Sequence, residues 1–145
     1  FIINQNRYSI FDRTIENNGL KDMSGKLKKG IISFSPLAQG LLSDRYLNGI
    51  PSDSRVVTDG RFLNENNLTA KKLEAISKLN DIAKARQQSL AQMALAWVLK
   101  DDVMTSVLIG ASKPSQVLDN IAAIENTSFS EEELNKIDEI VKAYE

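Results

Sequence analysis

The sequence predicts an α/β fold in which helices cover a parallel sheet. Three short apolar runs are each followed by residues with the apolar spacing of a helix. Such alternation of strands and helices is typical of parallel βαβ units. The chain has 145 residues, enough for one domain with a core, whereas a complete eight-stranded βα barrel needs about 200–250. We therefore expect three βα units with extra helices.

The first two units have clear turn signals. A strand predicted over residues 1–4 ends at Gln5, and residues 14–29 have weak helical spacing that Gly19 interrupts. Residues 31–34 are the predicted second strand, and residues 35–40 have the serine, proline and glycine content of a turn. The chain starts without methionine and in the middle of an apparent strand, which favours a piece of a longer protein.

A polar stretch over residues 44–67 lacks periodicity and predicts a long loop, which contains Arg45 and Arg55. Thr69 is placed to cap a helix over residues 70–87. The loop is long for a connection in a compact domain, and such loops are usually functional or mobile.

Two capping boxes mark the starts of later helices. Ser89 with Gln92 precedes one apolar helix, and Ser130 with Glu133 precedes the last helix of the chain. Trp97 follows the apolar spacing of the first of these helices, so we expect it in the core and not at a ligand site.

The third βα unit contains the most informative segment of the chain, the turn between its strand and its helix. Residues 107–109 are an apolar run that suits a strand buried on both faces, residues 110–112 are small, and Pro114 fits a first helical turn. The helix then has an apolar stripe: Val117, Leu118, Ile121 and Ile124. A small-residue loop before a helix N-terminus can bind phosphate through free N–H groups. On geometry alone, an ordinary βα junction is the alternative.

Composition excludes several classes of function. The net charge of −1 gives no basic excess for nucleic acid or a membrane surface, and no apolar run is long enough for a membrane span. The absence of cysteine excludes disulfides and thiolate chemistry and fits a cytoplasmic protein. Histidine is also absent, so acid–base chemistry would use carboxylates, tyrosines or lysines, and we predict no metal site.

Polar or small residues follow all three predicted strands. Gln5 comes after the first, Phe34 and Ser35 end the second, and residues 110–112 follow the third. Ligand groups converge at the carboxyl ends of parallel strands. Each residue alone also has a purely structural explanation, so only their joint placement indicates a binding site.

Four segments resemble the aldo-keto reductase superfamily. Within that superfamily they most resemble the branch that contains bacterial glyceraldehyde 3-phosphate reductase-like enzymes and the β-subunits of potassium channels. The four segments are INQNRYSIFDR (residues 3–13), FSPLAQGLLSDRYLNG (34–49), SLAQMALAWVLKD (89–101) and SVLIGASKPSQVLDNIAAI (106–124). The resemblance spans nearly the whole chain. It implies that residues 1–145 are the C-terminal part, about strands six to eight with their helices, of a (β/α)8 TIM barrel that binds NADPH. The N-terminal half of the barrel is missing.

The resemblance also implies roles for residues at the strand ends. Gln5 matches the glutamine that bonds the nicotinamide carboxamide, and Phe34 matches the ring that stacks on the nicotinamide. Arg45 and Arg55 match basic contacts near the phosphates. The pyrophosphate loop matches Ser35, Pro36, Leu37, Ala38 and Gln39.

The third junction matches the adenosine end of the cofactor site. Gly110 and Ser112 match the turn that holds the ribose and its 2′-phosphate, and the next helix contacts this phosphate or the adenine through Gln116, Asp119 and Asn120. These three share one helical face by their spacing. Many family members have a lysine in this turn and an arginine at position 116. Their absence makes a preference for NADPH over NADH less secure, and we predict that Lys113 supplies nearby charge.

The family's catalytic Asp, Tyr, Lys and His or its replacement have no matching positions in this chain. We therefore expect the intact enzyme to reduce a small aldehyde or ketone with NADPH, without metal, and the chain alone to be inactive. A non-catalytic cofactor-binding or regulatory module, resembling a channel β-subunit or a truncated product, is the alternative. A helical interaction protein leaves the strand-end motifs unexplained. A homo-oligomer is compatible with either reading, and the particular carbonyl substrate is not predicted.

Overall fold

A computed structural model describes residues 2–48 and 68–144. Its centre is a three-stranded parallel sheet in the order β1 (Ile3–Arg7), β2 (Gly30–Phe34) and β3 (Met104–Val107). Each strand lies beside the next one along the chain, with the helices of the connections packed against the sheet. The predicted parallel α/β arrangement is confirmed for the described residues.

The predicted limits of the first and third strands are wrong by about three residues. Backbone pairing of β1 with β2 continues to Arg7 opposite Phe34, so Gln5 lies inside the strand. In β3 the pairing begins at Met104. Leu108 donates one further backbone bond to Ser33 at 2.8 Å, but its side chain is 46% exposed. Register with β2 sets these limits, and apolar content alone does not reveal it.

The helices begin where the capping residues predict. Thr69 accepts a bond from the amide of Lys72, Ser89 and Gln92 bond reciprocally, and Ser130 with Glu133 does the same. The helices are α1 (Thr14–Asn17), α2 (Leu20–Lys26), α3 (Ala70–Ala85), α4 (Leu90–Val98), α5 (Pro114–Ile121) and α6 (Glu131–Tyr144). Short 3-10 turns are present at Ala38–Gly40, Asp44–Tyr46 and Ala122–Glu125.

The core lies between the helices and one face of the sheet. Ile31 of β2 and Met104 of β3 point into it, and Trp97 of α4 is fully buried there as predicted. The last helix contributes Ile137 and Val141. Gly19 adopts φ +78° and separates α1 from α2, which explains the interrupted helical pattern.

The opposite face of the sheet is uncovered by the described residues. Side chains alternate along a strand, and β1 exposes Ile3, Gln5 and Arg7. Ile32 and Phe34 of β2 pair with Gln5 and Arg7 and so lie on the same face. Parallel sheets are normally buried on both faces. Leu108 and Ile109 of the predicted third strand are 46% and 36% exposed, so the prediction that this strand is buried on both faces is wrong among the described residues.

The apolar stripe of α5 is also uncovered. Leu118 is 71% exposed, and the other three predicted members of the stripe are exposed as well. The prediction that this stripe packs on the core is wrong among the described residues, because α5 packs on α4 through its opposite side, where Asn120 is buried.

No helix within the described ranges is both long and apolar enough to cross a membrane.

Candidate functional site

The uncovered sheet face brings Gln5 and Phe34 to neighbouring strands. Gln5 lies opposite Ile32, two residue pairs before the Arg7–Phe34 pair at the carboxyl end of the sheet. The Gln5 side chain is exposed, and its amide makes no hydrogen bond to the part of the chain that the structure describes. A free side-chain amide on the same sheet face as an aromatic ring can bind and orient a planar polar group.

The loop after Phe34 holds a strained backbone. Ser35, Ala38 and Gln39 adopt φ of +53°, +48° and +62°, and Gly40 follows at +95°. Non-glycine residues at positive φ are uncommon, and such strain clusters at ligand-binding sites. The backbone amide of Ala38 donates a hydrogen bond to the Ser35 carbonyl at 3.0 Å, which fixes the loop.

The rest of this loop is anchored on the core. Pro36 is buried, and Leu37 and Ala38 pack against the core cluster. The Ser43 hydroxyl donates to the Gly40 carbonyl at 2.6 Å. Anchoring on both sides keeps the strained segment at the carboxyl end of β2.

Arg45 lies in the 3-10 turn that follows. The amide of Arg45 donates to the Ser43 hydroxyl oxygen at 3.4 Å, and the Arg45 side chain is exposed. The turn is held down by Tyr46, which is buried. Arg55, the other predicted phosphate contact, lies outside the described residues.

The turn after β3 is closed by Gln116 of α5. Its side-chain oxygen accepts bonds from the amide of Ser112 at 2.8 Å and from the amide of Lys113 at 3.3 Å. A cavity of about 500 Å³ lies against this turn and helix, lined by Ala111, Ser112, Lys113, Pro114, Val117 and Leu118. Gly110 precedes it, and a Cβ there would meet no atom within 4 Å. The Gln116 side-chain oxygen therefore shapes the turn.

The three predicted adenosine-end residues of α5 have different surroundings. The Asp119 carboxylate accepts a bond from the Gln92 amide at 2.9 Å, which ties it to the start of α4. Asn120 is buried, while Gln116 is exposed. Their spacing within α5 puts the three residues on one helical face, on which Asp119 is engaged by Gln92 of α4. Their contacts with a cofactor stay a prediction.

Sequence reasoning missed a buried polar cluster around Tyr8. The Tyr8 hydroxyl bonds to the Glu16 carboxylate and accepts a bond from the Lys100 ammonium at 2.9 Å. Burial, with a smaller effect from Glu16, raises the pKa of Tyr8. Burial and the charge of Lys21 lower the pKa of Lys100 to about 8. Tyr8 is fully buried, so its hydroxyl cannot contact a substrate.

The Tyr8 cluster also includes Trp97. The Lys100 ammonium lies 3.6 Å from the centroid of the Trp97 ring, and the Arg13 guanidinium lies 4.6 Å from it. Cations against an indole face in a desolvated setting are stabilising by about 2 kcal/mol. The only sequence signal for this cluster was helical spacing. It predicts that Trp97 is in the core, but it does not predict that Lys100 and Arg13 lie against the Trp97 ring.

Among the described residues, no group of three or more acidic side chains is placed to hold a metal ion.

Known proteins match this chain over nearly its whole length. The sequence model described as "Aldo/keto reductase family" matches residues 1–142. L-glyceraldehyde 3-phosphate reductase of Escherichia coli is 47% identical over 141 residues, which are 95% of this chain and 41% of that protein. A putative voltage-gated potassium channel subunit beta of Schizosaccharomyces pombe is 31% identical over 144 residues, 97% of this chain and 42% of that protein.

Solved structures show the same fold. A glycerol dehydrogenase from Gluconobacter oxydans superposes with a TM-score of 0.79 at 26% identity, over 98% of this chain and 42% of that chain. An aldo-keto reductase from Bacillus halodurans gives a TM-score of 0.72 at 24% identity, over 99% and 43%. The chain therefore spans about two-fifths of the length of the proteins it matches.

Proposed function

Because this chain belongs to the Aldo/keto reductase family, we propose that it forms the NADPH-binding part of an enzyme that reduces an aldehyde or ketone to an alcohol. The observation that carries the proposal is the position of Gln5 and Phe34 on one uncovered sheet face, with the strained loop directly after Phe34. A free amide, an aromatic ring and a strained loop at strand ends fit a nicotinamide and its phosphates.

The chain is proposed to supply the last three βα units of a (β/α)8 barrel. Three observations support this: the chain covers two-fifths of its relatives, the described residues leave one sheet face uncovered, and they also leave the α5 stripe around Leu118 exposed. In a closed barrel the uncovered face is the barrel interior, which side chains fill. The remaining βα units would also pair with the outer edges of β1 and β3, which the described residues leave unpaired.

Each proposed contact follows from its place in this arrangement. Gln5 bonds the carboxamide and Phe34 stacks on the nicotinamide ring, which fixes the ring face towards the substrate. Residues 35–39 hold the pyrophosphate together with Arg45 and Arg55. Gly110, Ser112, Gln116, Asp119 and Asn120 form the adenosine end, with Asp119 acting mainly by anchoring α5 to α4.

When bound, NADPH supplies a hydride to the carbonyl carbon. The carbonyl oxygen gains a proton from an acid that we do not assign to this chain, because Tyr8 is buried within its own cluster and no other tyrosine matches the family motif. The 145-residue chain by itself is therefore expected to bind cofactor weakly and to show no turnover above a blank.

A cofactor-binding module without turnover is the second candidate. The 31% identity to a putative channel β-subunit over 97% of the chain favours it. It shares the proposed cofactor site and differs only in lacking reduction.

The test uses the protein as its source organism produces it. NADPH binding is measured by cofactor fluorescence, and turnover is followed by loss of NADPH absorbance with a reactive aldehyde. Phe34→Ala should weaken NADPH binding about tenfold through lost stacking. Phe129→Ala, which removes a partly buried ring at the remote Arg86 contact, is the matched control and should leave binding unchanged.

Binding with turnover supports the reductase, and binding without turnover supports the cofactor module. A protein that binds no NADPH, or a Phe34→Ala variant that binds as tightly as the wild type, contradicts both proposals.

A further inference from the structure

Arg7 is the last residue of β1 and lies on the uncovered sheet face, where its guanidinium has no carboxylate partner among the described residues. Its guanidinium carbon lies 5.8 Å from the centroid of the Phe34 ring, and the side chain is exposed. No carboxylate of the described residues forms an ion pair with it. The planar fork of arginine binds phosphate and carboxylate groups through two parallel hydrogen bonds.

Lys72, in the first turn of α3, is a second cation without a carboxylate partner in the described part of the chain. Its ammonium lies 5.9 Å from the ring centroid of Phe11 and 5.2 Å from that of Tyr144. Partial burial lowers the pKa of Lys72. An anion bound beside this ammonium would offset the desolvation and favour its charged form.

Arg7 and Lys72 line the same cavity, of about 200 Å³, at the carboxyl ends of β1 and β2. Asp12 also lines it, but its carboxylate accepts bonds from the Thr14 amide at 3.2 Å and the Thr14 hydroxyl at 2.8 Å. Among the described lining residues, two cations against one engaged carboxylate give a positive charge. The volume is below the roughly 300–1,000 Å³ of sites for drug-sized ligands, so it fits a small group and not a dinucleotide.

The cavity also touches the proposed cofactor loop through Ser35 and Gln39. Arg7 is the next residue after Gln5 on the same strand face, and it stands beside Phe34. A group bound at Arg7 and Lys72 would therefore lie beside Phe34 and the loop that follows it, at the same end of the sheet as the proposed nicotinamide site.

We propose that Arg7 and Lys72 form an anion subsite that binds the phosphate or carboxylate group of a short-chain carbonyl substrate. This inference rests on the proposed function and names the substrate class. It makes the two cations determinants of specificity, while proton transfer stays with residues not assigned to this chain.

The kinetic test compares glyceraldehyde 3-phosphate with glyceraldehyde, which has the same carbon skeleton without the anion. The protein as its source produces it, saturated with NADPH, should prefer the phosphorylated aldehyde. Arg7→Ala and Lys72→Met should each lower the ratio of the two kcat/KM values about tenfold, chiefly through KM for the phosphorylated aldehyde. Methionine keeps the apolar stem of Lys72 between the two rings.

Two further variants sharpen the result. Arg7→Lys keeps the charge and should recover part of the preference. Lys71→Ala removes an exposed lysine one residue away that is not among the residues lining the cavity, and should leave the ratio at the wild-type value. An unchanged ratio in Arg7→Ala overturns the proposal. Equal losses for both aldehydes with a raised KM for NADPH also overturn it, and assign the cations to the cofactor pyrophosphate.

Binding of glycerol 3-phosphate, measured by titration calorimetry, separates this inference from the proposed function. If the wild type reduces neither aldehyde but binds glycerol 3-phosphate about tenfold more tightly than Arg7→Ala does, the subsite stands and the reductase proposal fails. If the wild type shows neither a preference for the phosphorylated aldehyde nor binding of glycerol 3-phosphate, the subsite proposal fails.

Discussion

The Lys100 ammonium donates a hydrogen bond to the Tyr8 hydroxyl at 2.9 Å, although the two residues are 92 positions apart in the chain. This contact joins the end of α4 to the carboxyl end of β1. Because both groups are buried, their proton equilibria differ between the folded and the unfolded protein.

Lys100 is expected to make stability rise with pH above neutrality. Burial, and then Lys21, lower the pKa of Lys100 to about 8, whereas an unfolded lysine titrates near about 10.4. Between these values the unfolded chain holds more protons, so the free energy of unfolding increases with pH. From pH 7.5 to 9.5 the wild type should gain about 1–2 kcal/mol relative to Lys100→Met in urea titrations.

The control for this pH effect is Lys26→Met, which removes an exposed lysine paired with Asp22 and should keep the wild-type slope. A wild-type slope equal to that of Lys100→Met would contradict the prediction. Above about pH 10 the gain should reverse, because burial raises the pKa of Tyr8 and the unfolded tyrosine loses its proton first.

Arg86 is expected to be the most sensitive residue at the join of α3 and α6. Its side chain is 4% exposed and donates to the Glu133 carboxylate at 2.9 Å and to the Asn126 carbonyl at 3.1 Å. Arg86→Ala removes the buried cation of the Glu133 ion pair and one of the two donors to the Asn126 carbonyl, which keeps its bond from the Gln88 amide at 3.1 Å. It should lower the free energy of unfolding by about 3 kcal/mol.

For Arg86, the conservative variant Arg86→Lys should recover less than half of the loss, since one ammonium cannot replace the fork. The exposed neighbour Lys84 provides a control, and Lys84→Ala should change stability by less than about 0.5 kcal/mol. Denaturant unfolding measures all three variants. A loss below about 1 kcal/mol for Arg86→Ala would show that the contact contributes little.

Gln87 and Lys28 are positions where glycine should stabilise the protein. Each follows a helix C-terminus with positive φ, +58° and +51°. The following amides bond back to Ala83 at 3.0 Å and Ser24 at 2.9 Å, the pattern of a Schellman motif. Gln87→Gly and Lys28→Gly should each raise the free energy of unfolding by about 0.5–1 kcal/mol.

The contrast for these glycine variants lies inside α3. Lys84→Gly puts glycine where φ is helical and should lower stability by about 1 kcal/mol. Thermal unfolding of the three variants measures both signs. Equal destabilisation by all three would mean that backbone strain at the helix ends is negligible.

Gly30 is expected to tolerate no side chain. A Cβ at this position would collide with the Thr105 hydroxyl oxygen and lie 3.3 Å from the Ile3 side chain. Gly30→Ala should therefore lower the free energy of unfolding by about 1–3 kcal/mol. Adding Thr105→Ala should restore much of the loss, since it removes the nearest atom.

Gly110→Ala is the matched control for the glycine test, because its Cβ would meet open space. Its effect on urea unfolding should be small. If Gly30→Ala unfolds like the wild type, the Ile3 and Thr105 side chains can move away from position 30 of β2 without loss of stability.

The order and type of most elements follow from local signals. Thr69, Ser89 and Ser130 predict helix starts because a cap acts within three residues of itself. Gly19 and Trp97 likewise lie where turn chemistry and apolar spacing predict. The family resemblance added the proposed roles of Gln5 and Phe34, which local patterns alone do not assign.

Only the tertiary structure decided the limits of the strands, the exposure of the α5 stripe and the partners of the charged residues. Hydrogen-bond register between strands extends β1 to Arg7. Packing turns Asp119 towards Gln92 and brings Lys100 to Tyr8. These contacts join residues far apart in the chain. Apolar spacing and capping signals report only on neighbours within one or two turns, so the pairing of distant side chains depends on how the elements pack.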